Sequence, residues 1–246
     1  MRIVFSILYY VALLIFSSIY FLFMFVVFLL TFAFDRKRVI IHGLSIVYAY
    51  SLFKPVPFWK GEVKGLENFD KTRTCVVVAN HQSMFDIPVL YALPGIFKWV
   101  SKKEVFKMPF FGWALWMNGD VAIERGAARS TKKMIADCIG HLKNGIRVNI
   151  FPEGTRSKTS VIGKFKDGAF IIAKEAGVDI QPVVIDGTRS AFEKGKWWVA
   201  NNTFKIHVLP RIDRDVVKNT DLEQLKDMCR NQIVAEHKTM RPELYA

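Results

Sequence analysis

Residues 3–34 carry no charge and are almost wholly apolar. Roughly 20 such residues suffice to cross the hydrocarbon of a bilayer, so this stretch reads as membrane material. A cleaved leader has an apolar region of about 7–15 residues followed by small ones. This run is longer, bulkier and aromatic. One tilted span, a bent helix and a shallow re-entrant pair all fit it. Asp35-Arg36-Lys37-Arg38 closes the run, and its three basic residues outweigh Arg2 at the start. If the segment spans, the positive-inside tendency places everything after it on the cytoplasmic side. Residues 39–53 are again mostly apolar, with Tyr48, Tyr50 and Phe53. They read as a second helix, lying at the interface or packed on the domain. The expected division is a membrane-anchoring helical segment over 1–55 and a globular domain over 56–246.

Beyond residue 58, short apolar runs alternate with helical patterns. Residues 75–79 are β-branched and few, as in a strand buried on both faces. Further strands are expected at 97–100, 120–123, 147–151, 180–185 (broken by Pro182) and 203–209. A helix over 103–117 should be interrupted at Pro109 and Gly112. Met134, Ile135, Cys138, Ile139 and Leu142 recur at the helical period over 130–144, which Gly145 stops. Residues 167–176 make a short helix ended by Gly177. Thr220 and Glu223 have capping-box spacing and open an amphipathic helix through Leu222, Leu225, Met228 and Ile233. Such alternation implies an α/β fold with a largely parallel sheet flanked by helices.

The formal net charge is +13, from 35 Lys and Arg against 22 Asp and Glu, in a chain that is 51% hydrophobic. A surplus of this size implies an anionic partner: nucleic acid, a membrane surface or a phosphorylated substrate. Nucleic acid is disfavoured, because no basic helix, zinc pattern or interleaved aromatic-basic motif appears. Lys194, Lys196, Trp197 and Trp198 come nearest, and read better as an interfacial loop. Cys75, Cys138 and Cys229 are far apart and form no metal-type cluster. They are expected as reduced thiols in a cytosol-facing domain, with Cys75 filling the core.

Chemistry collects where the strands should end. Asn80-His81-Gln82-Ser83-Met84-Phe85-Asp86 follows the first clear strand, at the edge where open α/β sheets hold ligands. His81 can take a proton near neutral pH, and Asp86 can fix its tautomer. Five residues apart on one helix they would face different sides, so a turn into a helix is required. Read by itself, the spacing also fits a surface histidine near an unrelated aspartate. Arg125 ends the strand at 120–123, and Phe151-Pro152-Glu153-Gly154-Thr155-Arg156 follows another. The planar fork of arginine suits phosphate, Gly154 allows close backbone approach, and Glu153 could orient Arg156 or bind a substrate hydroxyl.

In order, these segments resemble the membrane-bound glycerolipid acyltransferases, most closely the 1-acyl-sn-glycerol-3-phosphate acyltransferases. The resemblance rests on NHxxxxD (Asn80 to Asp86), Gly119-x-x-x-Ile123-x-Arg125, the complete FPEGTR and the apolar strand around Pro182. It covers about residues 60–210. It implies an acyltransferase-like fold and transfer of an acyl chain to the free sn-2 hydroxyl of lysophosphatidic acid, giving phosphatidic acid. The donor would be a thioester, acyl-CoA or acyl carrier protein. By the same resemblance His81 is the general base and Asp86 its orienting partner. Arg125, Glu153, Gly154, Thr155 and Arg156 bind the acceptor, and Lys102 assists near the donor or the oxyanion. No metal or other cofactor is expected, because a thioester is already activated. Membrane lipids are the expected surroundings. Another lysolipid or glycerol-3-phosphate as acceptor, and a non-enzymatic lipid-binding protein, are the alternatives.

Overall fold

The computed structural model describes residues 2–192, 199 and 201–246. The expected interfacial loop with Lys194, Lys196, Trp197 and Trp198 lies outside the described residues. In chain order the elements are α1 (Arg2–Thr31), α2 (Val39–Phe53), β1 (Trp59–Lys64), β2 (Cys75–Ala79), α3 (Asp86–Leu90), β3 (Phe97–Lys102), α4 (Phe111–Asn118), β4 (Val121–Ile123), α5 (Ala128–Lys143), β5 (Arg147–Ile150), α6 (Gly168–Ala176), β6 (Asp179–Asp186), β7 (Asn202–Val208), α7 (Arg214–Asn219) and α8 (Leu222–Met240).

The apolar run folds as a single helix, α1, long and apolar enough to cross a membrane. Leu14, Leu22 and Leu30 lie on its exposed surface. It pairs antiparallel with α2, and their polar groups meet across the pair. Tyr9 Oη donates to the Leu52 carbonyl at 2.8 Å, and Tyr20 Oη to that of Leu44 at 2.7 Å. Ser17 and Tyr48 hydroxyls lie 2.9 Å apart. Asp35 starts α2 by accepting from the amides of Val39 and Ile40 at 2.8 and 2.9 Å, the ordinary remedy for unpaired amides at a helix start.

Among the described residues the strands form one sheet in the order β1-β7-β6-β2-β5-β3-β4. From β6 to β4 every neighbour is parallel, and only the β6–β7 pairing is antiparallel. Every residue of β2 and β6 is buried. Alternation divides them between two cores. Val77, Ala79, Val183 and Ile185 face the side covered by α2, α3 and α4. Val76, Val78, Ile180 and Val184 face α5, α6 and α8. The three cysteines are free and buried.

Several expectations need correction. β6 is unbroken. The amide of Ile180 bonds the Ile212 carbonyl, so the ring nitrogen of Pro182, two residues on, faces the same way. There the neighbouring chain carries one extra residue, since Val183 faces Val208 but Ile180 faces Ile212, and no amide is missed. The cap of α8 is Asp221, whose carboxylate accepts from the Glu223 amide at 3.0 Å, rather than Thr220. The buried stripe of α8 is Leu225, Cys229, Ile233 and His237, while Met228 is exposed. β1 was not anticipated, because Trp-Lys-Gly-Glu-Val-Lys has no apolar run and packs at a sheet edge. The break in 103–117 is as expected. Gly112 opens the second part of it, where a side chain would meet the Val105 carbonyl at 2.4 Å.

Arg147, 6% exposed, gathers the opposite ends of the strands. Its guanidinium donates to the carbonyls of Arg73, Pro94, Asp70 and Lys71. Arg147→Met should therefore cost about 3–5 kcal/mol, because hydrogen bonds to a charged group are worth ~1.5–3 kcal/mol each and the stranded carbonyls stay buried. Denaturant unfolding in detergent checks it, and a loss below about 1 kcal/mol would contradict it.

Candidate active site

β2, β3, β4, β5 and β6 run parallel, so the loops after them gather at one edge. His81 follows β2, Lys102 ends β3, Arg125 follows β4, residues 151–156 follow β5, and Asp186 ends β6.

Asn80 ends the β2 pairing. Its buried side-chain amide donates to the Ile185 carbonyl and accepts from the Ile185 amide, each at 2.8 Å. A side chain thus replaces a rung, and the backbone is released to turn. Asp86 opens α3 and is fully buried. Its Oδ2 accepts from the Gln82 and Ser83 amides at 2.7 and 2.9 Å and lies 2.7 Å from His81 Nδ1. An oxygen already accepting two amides acts as an acceptor toward the ring too. Nδ1 therefore carries the proton and Nε2 keeps its lone pair. The imidazole lies flat on Phe151, with centroids 4.1 Å apart and planes 8° apart.

Glu153 is placed differently from expectation. Its Oε1 accepts from the His81 amide at 2.8 Å and its Oε2 from the Gly163 amide at 2.9 Å. The carboxylate turns inward to hold two segments together, and no bond links it to Arg156. Burial raises its pKa above the usual carboxylate range, against the opposing pull of those two amides. Gly154 has φ +68°, and a side chain there would run into Lys166, whose Nζ would lie 2.9 Å away. The Ser157 amide donates to the His81 carbonyl at 2.8 Å, so the loops after β2 and β5 are tied directly.

The loops after these strands wall a cavity of about 480 Å³. His81, Gly154 and Thr155 line it, as do the cations Lys102, Arg125, Arg156 and Lys166, and no carboxylate does among the described residues. Lys102 lies 3.4 Å from Glu104, and both are exposed enough to be well screened. The first residues of α6, Gly168 and Ala169, also line the cavity, adding the positive end of a helix. Sequence reasoning missed Lys166. Its only signal is a basic residue just before a helix, and surface lysines share that. A separate apolar cavity of about 190 Å³ lies among α1, α2, α3 and α4. Met84, Ile87 and Phe111 line both cavities.

A histidine oriented by a buried carboxylate faces a cationic cavity beside an apolar one, an arrangement chemically able to activate a hydroxyl on an anionic, lipid-like substrate. The family model described as Acyltransferase matches residues 60–186. The chain is 39% identical over 170 residues to the chloroplastic 1-acyl-sn-glycerol-3-phosphate acyltransferase BAT2 of Brassica napus, covering 69% of this chain and 49% of that one. It is 35% identical over 158 residues to the 1-acyl-sn-glycerol-3-phosphate acyltransferase of Pseudomonas aeruginosa, covering 61% and 56%. The crystal structure of the 1-acyl-sn-glycerophosphate acyltransferase PlsC of Thermotoga maritima superposes with a TM-score of 0.79 at 26% identity, covering 98% of both chains. The chain thus belongs to the acyltransferase family, and it spans about half the length of the plant relative.

Glu153→Gln replaces one acceptor oxygen by a donor that must face an amide. The His81 turn should loosen, so kcat should fall roughly ten- to a hundredfold while the acceptor KM moves little. A rise in acceptor KM alone would instead make Glu153 a substrate ligand. The same variant tests the raised pKa. A carboxyl that holds its proton more tightly when folded makes stability fall as pH rises from the ordinary carboxylate range through the raised value. Glu153→Gln should flatten that segment of the stability–pH curve, measured by denaturant titration.

Proposed function

We propose that this chain transfers an acyl group from a thioester to the sn-2 hydroxyl of 1-acylglycerol-3-phosphate, forming phosphatidic acid. The observation that carries the reading is the placement of His81, held by Asp86, in a cavity with four cations and no carboxylate among the described residues. In the acceptor the hydroxyl lies only a few bonds from the phosphate, so one cavity must supply both base and cations. Lys102, Arg125, Arg156 and Lys166 meet the phosphate, and Thr155 and the α6 N-terminus complete its surroundings. His81 Nε2 removes the hydroxyl proton as the oxygen attacks the thioester carbonyl. Asp86 stabilises the imidazolium that forms. The proton then passes to the departing thiolate as the C–S bond breaks. A placed base of this kind contributes about 10²–10⁴-fold. No enzyme nucleophile takes part, since the attacking oxygen belongs to the acceptor.

The hairpin of α1 and α2 supports a lipid acceptor. Phe21 and Met24 of α1, with Tyr48 and Leu52 of α2, line the apolar cavity that adjoins the His81 cavity. An acyl chain can lie there while the head group faces the cations. In this reading α1 anchors the protein in the membrane, with the sheet on the cytoplasmic side.

His81→Ala should abolish phosphatidic acid formation from labelled acyl-CoA or acyl carrier protein, with the far-ultraviolet circular dichroism unchanged. An active, folded variant would overturn the base assignment. Arg125→Ala should raise the acceptor KM about tenfold, as expected for loss of one charge-assisted bond, with less effect on the donor KM. The reverse pattern would move the phosphate elsewhere.

A further inference from the structure

Thr155 and Arg156 stand on a ridge. On one side is the His81 cavity. On the other is a wider one of about 1320 Å³, bounded by the turn after β2, the loop after β5 and the loop after β6. Met84, three residues after His81, lines these two cavities and the apolar one as well, so all three adjoin at its side chain. The wide cavity is basic and rich in hydroxyls. Arg156, Lys158, Arg189 and Arg241 line it against a single carboxylate, Asp186. Arg241 lies 3.1 Å from Asp186 and also pairs with Glu243, so the uncompensated charge is that of Arg156, Lys158 and Arg189. Arg189 donates to the Ser157 carbonyl at 2.6 Å and to the Lys158 carbonyl. This braces the loop that presents Arg156 and Lys158.

A two-substrate reading needs such a place. The acceptor phosphate is close to its reacting hydroxyl and belongs in the cavity that contains His81. The donor phosphate is many bonds from the thioester, at the far end of a pantetheine arm. It requires a cavity that starts beside His81, leads away from it and ends in positive charge. We propose that the wide cavity receives the phosphate-bearing pantetheine arm, the part common to acyl-CoA and acyl carrier protein. Lys158 and Arg189 meet its phosphate, and Ser83, Ser157 and Ser190 lie along the amides of the arm. The assignment rests on the acyl-transfer reading of the His81 site.

Binding to the unacylated carriers tests it without the acceptor. CoA, holo-acyl carrier protein and pantetheine, which has no phosphate, are titrated by calorimetry into the full-length protein in detergent. The parent is compared with Lys158→Glu and the milder Lys158→Gln. Lys158 is exposed, and circular dichroism confirms folding of each variant. Lys158→Glu should weaken CoA and holo-carrier binding about tenfold or more, the effect of losing one charge-assisted contact, and Lys158→Gln somewhat less. The difference from the parent should collapse with pantetheine. Loss confined to one carrier supports the site and names the donor that uses it. Unchanged affinity for both carriers, or equal loss with pantetheine, overturns the proposal, as does a parent that binds neither carrier. A parent that binds CoA through Lys158 yet forms no phosphatidic acid would leave this site standing and overturn the acceptor reading alone.

Discussion

Asp86 Oδ2 accepts from the His81 ring and from the amides of Gln82 and Ser83, and the rest of the site is arranged around that oxygen. A chain that leaves a buried strand and turns at once strands its amides, and each needs a partner. One carboxylate oxygen supplies two of them and aims the imidazole at the same time. Glu153 does the equivalent from the other side, holding the His81 amide and the Gly163 amide. Both acids near the base thus face inward, toward backbone. No carboxylate among the described residues therefore lines the cavity in front of the His81 ring.

The parallel sheet turns local motifs into a site. Strands that run the same way end at the same edge, so residues far apart in the chain reach one cavity without a long loop. Asn80 terminates the β2–β6 pairing with its own side chain, which sets where the turn begins. The short ties between loops, Ser157 to His81 and Arg189 to Ser157, hold the edge as a unit. Preorganisation of this kind lets charges act on a substrate without first having to move.

The helical hairpin is built into the domain rather than appended to it. Tyr9 and Ala49 belong to the same core as Trp59, Val77 and Phe204. Lys98 is 1% exposed and reaches the carbonyl of Lys37 in the turn between the two helices, at 3.2 Å, and that of Asn118. Nearby, burial raises the Asp120 carboxyl above its ordinary range, against the opposing pull of Lys98. These polar contacts fix the hairpin relative to the sheet, and the apolar cavity between them keeps its position beside Met84 and Ile87.

Much was legible in the residues. The β-branched run at 75–79, the helical period ending at Gly145 and the uncharged stretch at 3–34 each declare their structure locally, because side-chain periodicity and turn chemistry act over a few residues. The ordered motifs at 80–86, 119–125 and 151–156 likewise named the residues that meet at the sheet edge. Other features depend on neighbours distant in the chain. Pro182 sits in an unbroken strand because an extra residue in the partner segment removes the need for its amide. Glu153 faces inward because Gly163 folds back over it. Lys166 joins the site because Gly154 leaves it room. Local sequence was enough for most of the elements, the α/β class and the pairing of His81 with Asp86. Which charges face the cavity and which are held by backbone was settled in three dimensions, because that depends on contacts across the sheet that no local pattern encodes.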